Sequence, residues 1–519
     1  MKELVFPRMF IPAMEHYATK VGFHDGDYHG TFEQHADRVL RLCQAMKDEL
    51  GLERPDRFAV MAANSHQYLE LYHAGFLGAG VVNPLNLRLA GQELQFILAD
   101  SATEVVFVDA RFAEHFERNI APVRKDLALR KVVLIGDGDV PHDVKYEDLI
   151  ADAKPSMPDE PEETDPSVLM YTGGTTGLPK GVLLDQRAEM LNMYHIGMSM
   201  GLDDWRIYLH QTPMFHAASM GGVIGIPGIG GTSVFIPLFE PKQVMELIEE
   251  YDVNWTTMVP TMIAMVLAHP EFDAAKLRPL RDLVYGASPM PSMLLDKIRE
   301  VFPDLNLWQG YGMTESSSVL TFLTDRDHRR DGARLRSAGR PVTGVNLTIQ
   351  DRDGTILPPG MNGEVCARGG NFMVEYWHRP EETGKAFRGG WYHTGDEGHL
   401  DDEGFLYLVD RVKDMIVSGG ENVYSIEVEN AISTHPAVAE VAVIGIPHEI
   451  WGEQVHAIVV LKPGMTATEG EIQDWARRSI GGFKVPKSVE FRTEPLPLSG
   501  AMKPLKRELR RPYWEKATS

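Results

Sequence analysis

The stretch "MYTGGTTGLPKGV", Met170 to Val182, crowds Gly173, Gly174, Gly177 and Gly181 together with Thr172, Thr175, Thr176 and one cation, Lys180. Backbone so poor in side chains can aim several N–H groups at one ligand. The hydroxyls and the ammonium then complete a cradle for phosphate oxygens. The preceding apolar run "SVLM" reads as a strand, and the expectation is a loop between strand and helix. An ordinary mononucleotide loop would end Gly-Lys-Ser/Thr, whereas this one ends Leu178-Pro179-Lys180-Gly181, so that reading fails. An inert turn needs one or two glycines, not four.

Further chemistry-bearing stretches follow at intervals: "TPMFH" (Thr212 to His216), "YGASPMP" (Tyr285 to Pro291), "QGYGMTE" (Gln309 to Glu315), "GRP" (Gly339 to Pro341), "YHTGD" (Tyr392 to Asp396), "DRVKDMIVSGGENV" (Asp410 to Val423) and "LPLSGAMKPLKRELR" (Leu496 to Arg510). With the glycine–threonine loop at their head, this series resembles the adenylate-forming superfamily, which includes acyl- and aryl-CoA synthetases, peptide-synthetase adenylation domains and beetle luciferases. Its order is kept over most of the chain.

The resemblance implies a two-step reaction. A carboxylate attacks the α-phosphate of ATP, and a thiol then displaces AMP from the acyl adenylate. Two anions must be brought together and the growing charge on phosphorus stabilised, which calls for a metal, cations and aimed donors. By resemblance, Thr172, Gly173, Gly174, Thr175, Thr176, Gly177 and Lys180 hold the β- and γ-phosphates. Gly286, Ala287 and Ser288 form a thin wall opposite Tyr311, with Gly310, Gly312 and Met313 nearby. Thr314 contacts the α-phosphate, Glu315 ligates Mg²⁺, and Asp396 accepts from the ribose hydroxyls beside Arg411. Lys503 is the adenylation lysine, which gives Lys503, Lys180, His216 and Glu315 as the catalytic set. The chain departs from the family by having Met502, not glycine, before that lysine, and Pro504 after it. A left-handed backbone there would cost methionine on the order of 1–2 kcal/mol, and a slipped loop would put Lys506 in the role.

For the thioester step the resemblance makes Lys413 the hinge of a mobile small domain and brings Ser418, Gly419 and Gly420 to a pantetheine tunnel. Arg88, Trp451, Phe483 and Lys487 would meet the nucleotide end of coenzyme A. The acyl pocket would be lined by His216, Met220, Gly221, Trp308, Gly310, Met313, Ser318 and Val319. None of these is an acid or a lysine, so an amino acid substrate, whose ammonium wants a carboxylate, is disfavoured. An apolar acid fits, with a fatty acid ranked first and an aryl or cinnamate-type acid second. Loading of an acyl carrier protein is the alternative to coenzyme A. A non-turning-over binding protein and a luciferase-like monooxygenase rank lower.

These residues need a scaffold. At 519 residues the chain exceeds one ordinary core. "RFAVMAAN", "VVNPLN" and "EVVFVD" read as strands; "SHQYLELYHAGFLGAG" and "GQELQFILADS" read as helices. Such alternation predicts an α/β fold, with parallel-rich sheets flanked by helices in a large N-terminal region of several subdomains. "NLTIQDRDGTILPPGMNGEVCARGG" reads as hairpins with Asp-Gly and Pro-Gly turns. After residue 411 the text restarts as a small α+β unit, "SIEVENAISTH" and "TEGEIQDWARRS" helical and "VAEVAVIGI" and "QVHAIVVL" extended, with Thr468 and Glu471 at capping-box spacing. The expected domains are therefore 1–411 and 412–519.

Composition bounds the partners. Lys+Arg number 51 against 74 Asp+Glu, a formal charge of −23, which repels a phosphate backbone and disfavours nucleic acid. Cys43 and Cys366 are too few for a disulfide framework, which suits a reducing cytoplasm. Pro7 and Pro12 interrupt the first residues, and no leader is expected. From Ile207 to Phe239 no charged residue occurs, but prolines and glycines break the run, so buried strands and a pocket wall are expected instead of a membrane span. The oligomeric state stays open, a homodimer being one option.

Overall fold

The computed structural model describes residues 2–518 apart from 173–178, 288–289, 331, 412–415, 419–420, 424, 449–450, 483 and 499–503. Among the described residues the strands form four sheets. The first runs Glu375–Tyr376, Lys180–Asp185, Pro166–Thr172, Val81–Pro84, Arg57–Met61, Val105–Asp109, Lys131–Ile135 and Val144–Lys145 in spatial order. Its interior pairs are parallel, as in Phe58↔Val105 and Val106↔Val132. Those strands are continuous apolar runs because helices cover both faces, and Phe58, Val60, Val106 and Val108 are fully buried.

The second sheet runs Arg340–Pro341, Thr321–Leu323, Asn306–Tyr311, Asp282–Gly286, Trp255–Met258, Ile207–His210, Thr232–Phe235, Val21–Asp25 and Tyr28–Thr31. It too is parallel at its centre, with Thr256↔Leu283 and Val284↔Trp308. The uncharged run therefore supplies two adjacent strands, Leu209 opposite Val234, joined by a glycine-rich helical turn at Gly221–Gly225. No helix among the described residues is long and apolar enough to cross a membrane.

A third, antiparallel sheet joins Asn346–Gln350, Gly363–Arg368, Trp391–Leu400 and Leu406–Arg411, as the Asp-Gly and Pro-Gly turns predict. The fourth holds Val438–His448 against Gly452–Leu461, covered by helices Ser425–Ser433, Glu469–Ala476 and Lys506–Thr518. Its apolar cluster of Ile416, Val428, Ile432, Val443, Val455 and Ile472 draws on these elements and on the adjoining strand Ile416–Ser418. The Thr468 capping box forms, with Glu471 N–H donating to the hydroxyl at 3.3 Å and Thr468 N–H to the Glu471 carboxylate at 2.8 Å.

One local expectation fails. Pro7 and Pro12 do not break the amino-terminal segment, because Pro7–His16 is a helix. Pro7 occupies its first turn, where no N–H is needed, and burial of Phe10, Ala13 and Met14 offsets the bond that Pro12 removes.

Candidate active site

Strands Pro166–Thr172 and Lys180–Asp185 are antiparallel neighbours, and their register sets Thr172 opposite Lys180. The glycine–threonine loop therefore closes a hairpin; it does not pass directly from strand to helix as expected. The helix begins one strand later, where Asp185 caps it by accepting from Ala188 N–H at 2.8 Å. "KGVLLD" is extended because it is buried between Pro166–Thr172 and the short edge strand Glu375–Tyr376. Gly173, Gly174, Thr175, Thr176 and Gly177 lie outside the described residues.

The edge strand carries Tyr376, a residue that the sequence motifs do not signal. Its ring lies under the Lys180 ammonium, 5.4 Å from the centroid, and its hydroxyl donates to Glu315 Oε1 at 2.8 Å. Burial, and then the charge of Glu315, push the Tyr376 phenol up, so it remains a protonated donor. Tyr392 Oη lies 3.3 Å from the same hydroxyl. Lys180 is also ion-paired with Glu382, on the helix Pro380–Ala386. Lys180, Tyr376 and Glu315 thus form one continuous line, a cation at one end and a carboxylate at the other. A half-buried carboxylate that makes one hydrogen bond among the described residues suits a hard cation such as Mg²⁺, which takes oxygen ligands and keeps several waters.

The second cluster lies at the carboxyl ends of parallel strands Asp282–Gly286 and Asn306–Tyr311, where open α/β sheets bind ligands. Gly286 pairs with Gly310, and a Cβ on Gly286 would sit 2.4 Å from the Gly310 carbonyl oxygen, so this wall must be bare. A Cβ on Gly312 would fall 1.8 Å from Ser318 O, which forces glycine where the loop folds back on itself. Ala287 (φ 66°), Ser317 (φ 56°) and Ser318 (φ 123°) adopt backbone that side-chain-bearing residues rarely take, and all three lie on these two loops. Strain of this kind persists only where the surroundings over-determine it. Ser288 lies outside the described residues.

Tyr311 projects from the end of its strand, and its hydroxyl donates to Asp396 Oδ2 at 2.7 Å. Asp396 is set by a pinned turn. Its N–H donates to Thr394 Oγ1 at 3.1 Å, Thr394 donates to Val365 O at 2.8 Å, and Gly395 N–H reaches Glu364 Oε1 at 3.3 Å. The backbone of Arg411 pairs directly with that of Asp396, and its side chain lies outside the description. Tyr311, Asp396 and Arg411 are therefore brought together as the motif order implies.

Toward the interior, His216 is half-buried with its ring centroid 4.6 Å from that of Phe215. The loop beneath it is held by Asn64, which accepts from Met214 N–H at 2.8 Å, and by Tyr72, whose hydroxyl donates to Met214 O at 2.6 Å. Met220 and Val319 are buried in one apolar cluster, and Trp308, Tyr311 and Met313 pack against it. Trp308 is oriented by its indole N–H, which donates to buried Asp282 at 2.8 Å. Two asparagines missed at the sequence level clamp Val319. Asn192 accepts from its N–H at 3.2 Å, and Asn371 donates to its carbonyl at 3.1 Å.

In the small unit, Trp451 and Lys487 meet, the ammonium 5.7 Å from the indole centroid, with His448 stacked on the ring at 4.3 Å. Ser418 pairs with Gly452. Arg88 is exposed on the loop after Val81–Pro84, in the first sheet's layer. Lys413, Gly419, Gly420, Phe483, Met502 and Lys503 lie outside the described residues. Lys506 is committed elsewhere, bound to Glu429 at 2.7 Å and to Ser425 Oγ at 2.5 Å, where it ties the last helix to Ser425–Ser433.

The model of the AMP-binding enzyme family matches residues 12–377, and that of the AMP-binding enzyme C-terminal domain matches residues 427–503. Among curated relatives, the fatty acid–[acyl-carrier-protein] ligase ScoC of Streptomyces coeruleorubidus is 35% identical over 93% of this chain and 92% of its own length. A feruloyl-CoA synthase of an Amycolatopsis species is 37% identical over 93% and 94%. Among solved structures, the o-succinylbenzoate coenzyme A synthetase of Bacillus subtilis in complex with ATP and magnesium superposes with a TM-score of 0.83 at 27% identity, over 96% of this chain and 98% of that one.

Proposed function

From the premise that the chain belongs to the AMP-binding enzyme family, we propose that it is an acid–thiol ligase that adenylates an apolar carboxylic acid with ATP and passes the acyl group to coenzyme A. The observation that carries this reading is the convergence of two clusters, Lys180–Tyr376–Glu315 and Tyr311–Asp396, at the rim of an apolar cluster containing Met220 and Val319. Each cluster suits one part of the reaction.

In this reading the bare Gly286–Ala287 wall and the Tyr311 ring hold adenine, while Asp396 accepts from the ribose hydroxyls beside Arg411. Thr172, Lys180 and the loop 173–177 hold the β- and γ-phosphates. Thr314 contacts the α-phosphate. Glu315 would hold Mg²⁺, which offsets phosphate charge and orients the leaving pyrophosphate when bound. The substrate carboxylate oxygen bonds to the α-phosphorus as the bond to pyrophosphate breaks, with the Lys503 ammonium between the two anions. Rotation of residues 412–519 about Lys413 then withdraws Lys503. The thiol sulfur bonds to the acyl carbon, its proton is lost, and AMP leaves. Trp451 and Lys487 offer a stacked aromatic and a cation to the nucleotide end of coenzyme A, with Arg88, Ser418 and Phe483 assigned there on the motif pattern.

A fatty acid is the first-ranked substrate and a cinnamate-type acid the second. The relatives support both, since one is a fatty acid ligase and another a feruloyl-CoA synthase. The carrier-protein relative also supports a second reading, in which the thiol belongs to an acyl carrier protein. The test is AMP release with Mg-ATP, coenzyme A and fatty, benzoic and cinnamic acids, each thioester identified by mass. Thioester with one class supports the ligase reading and names the pocket. Adenylate and pyrophosphate without a coenzyme A thioester favour the carrier protein as acceptor.

A further inference from the structure

The ion pair between Lys180 and Glu382 has no part in the chemistry above, and it occupies the cation that the phosphates need. Glu382 lies in the first turn of Pro380–Ala386, where a carboxylate is favoured by the exposed N–H groups of the helix. That turn is locked against the Lys180 strand, because Tyr376 N–H donates to Thr383 Oγ1 at 3.0 Å and Trp377 N–H to Gly181 O at 2.8 Å. A second cation waits beside the same carboxylate. Arg379 Nε is 4.0 Å from Glu382 Oε1, while its NH2 is 3.4 Å from Asp100. Glu382 therefore stands between two cations, Lys180 and an Arg379 that also reaches Asp100.

We propose that Glu382 is a positioning residue that holds the Lys180 ammonium over Tyr376 before nucleotide binds and yields it to the entering polyphosphate, turning toward Arg379. The inference rests on the reading of this site as one for ATP. A polyphosphate carries charge of the same sign as Glu382, so the two cannot share Lys180 without repulsion. Glu382 accordingly weakens ATP capture while keeping the lysine ordered and neutralised in the empty site.

The test uses the purified full-length protein and its Glu382→Gln, Glu382→Asp and Lys180→Met variants. Calorimetric titration with Mg-ATP is expected to show roughly two- to fivefold tighter binding for Glu382→Gln, the range that an ion pair of this exposure supports. KM for ATP falls in parallel while kcat stays within about twofold, and Glu382→Asp restores wild-type values. A readout without turnover is the rate at which an amine-reactive reagent labels Lys180, followed by mass spectrometry. Labelling is faster in Glu382→Gln than in wild type, and ATP protects both. Unchanged ATP affinity and unchanged labelling in Glu382→Gln, or weaker binding in that variant, overturn the proposal alone. Wild-type protein that fails to bind Mg-ATP overturns the reading of the site and this inference with it.

Discussion

The hydroxyl of Tyr311 donates a 2.7 Å hydrogen bond to Asp396 across 85 positions of sequence. It ties the strand end proposed to face adenine to the carboxylate proposed to hold ribose. Tyr311→Phe keeps the ring and loses the bond. Its KM for ATP is expected to rise roughly two- to tenfold, the value of one net hydrogen bond, with kcat little changed. Asp396→Ala, which also removes the proposed ribose acceptor, is expected to cost more than Tyr311→Phe. Steady-state kinetics in ATP check both.

Glu315 is the carboxylate at one end of the Lys180–Tyr376–Glu315 line, the end proposed to hold Mg²⁺. Glu315→Gln retains an acceptor for Tyr376 and removes the charge. The expected result is a loss of roughly 10²–10³-fold in kcat with a higher Mg²⁺ requirement and an unchanged melting temperature. Chelation abolishes wild-type turnover and excess Mg²⁺ restores it.

Lys503 and Lys506 separate by half-reaction. Lys503→Ala is expected to slow adenylation by about 10²-fold or more while leaving thioester formation from a synthetic acyl adenylate near the wild-type rate. Lys506→Ala breaks the 2.7 Å pair with Glu429 and is expected to lower stability without that selective defect. Assaying the two half-reactions separately checks the assignment.

Burial sets an acid limit on stability. His73 and His328 are pushed down to about 4 and His210 to about 3, each chiefly by burial, so all three stay neutral in the folded chain at neutral pH. The unfolded chain takes up these protons near pH 6.5. Stability is therefore fully present above about pH 6.5 and is lost as pH falls toward the folded-state values. Urea midpoints are expected to drop between about pH 6.5 and 5, before most carboxylates titrate; flat midpoints over that range would contradict the assignment.

Glu189 shows the opposite sign. It is 2% exposed on Gln186–Met200, and neither carboxyl oxygen has a hydrogen-bond partner among the described residues. Burial, and then Asp185, push it up to about 8, so the folded chain holds a proton that the unfolded chain releases near pH 4.5. Its contribution is intact at low pH and is lost as pH rises toward about 8. Glu189→Met, of similar length, is expected to raise stability at pH 8 by about 1–3 kcal/mol and by less at pH 5. Paired denaturation curves at the two values check the sign.

Much of this scaffold is legible from local pattern. "RFAVMAAN" and "EVVFVD" become the buried parallel strands Arg57–Met61 and Val105–Asp109, and Ser65 caps the helix His66–Ala74 as its position implies. Periodicity and capping are short-range, so residues a few positions apart carry the signal. The site is legible only as a series of motifs, because its contacts are long-range. Nothing in "VEYWHRPEE" signals that Tyr376 reaches Glu315, 61 positions earlier, or that Glu382 meets Lys180. The hairpin at Thr172–Lys180 was likewise hidden, since a buried strand and a short buried helix share the same apolar run "VLL".

In the proposed reaction a carboxylate oxygen of the substrate bonds to the α-phosphorus of ATP. It is tested most directly by supplying dodecanoate or ferulate, labelled with ¹⁸O in both carboxylate oxygens, with Mg-ATP and coenzyme A, and weighing the products by mass spectrometry. The expected products are AMP carrying one ¹⁸O atom and a thioester retaining one. AMP without label alongside labelled thioester, or label in phosphate released with ADP, would contradict it.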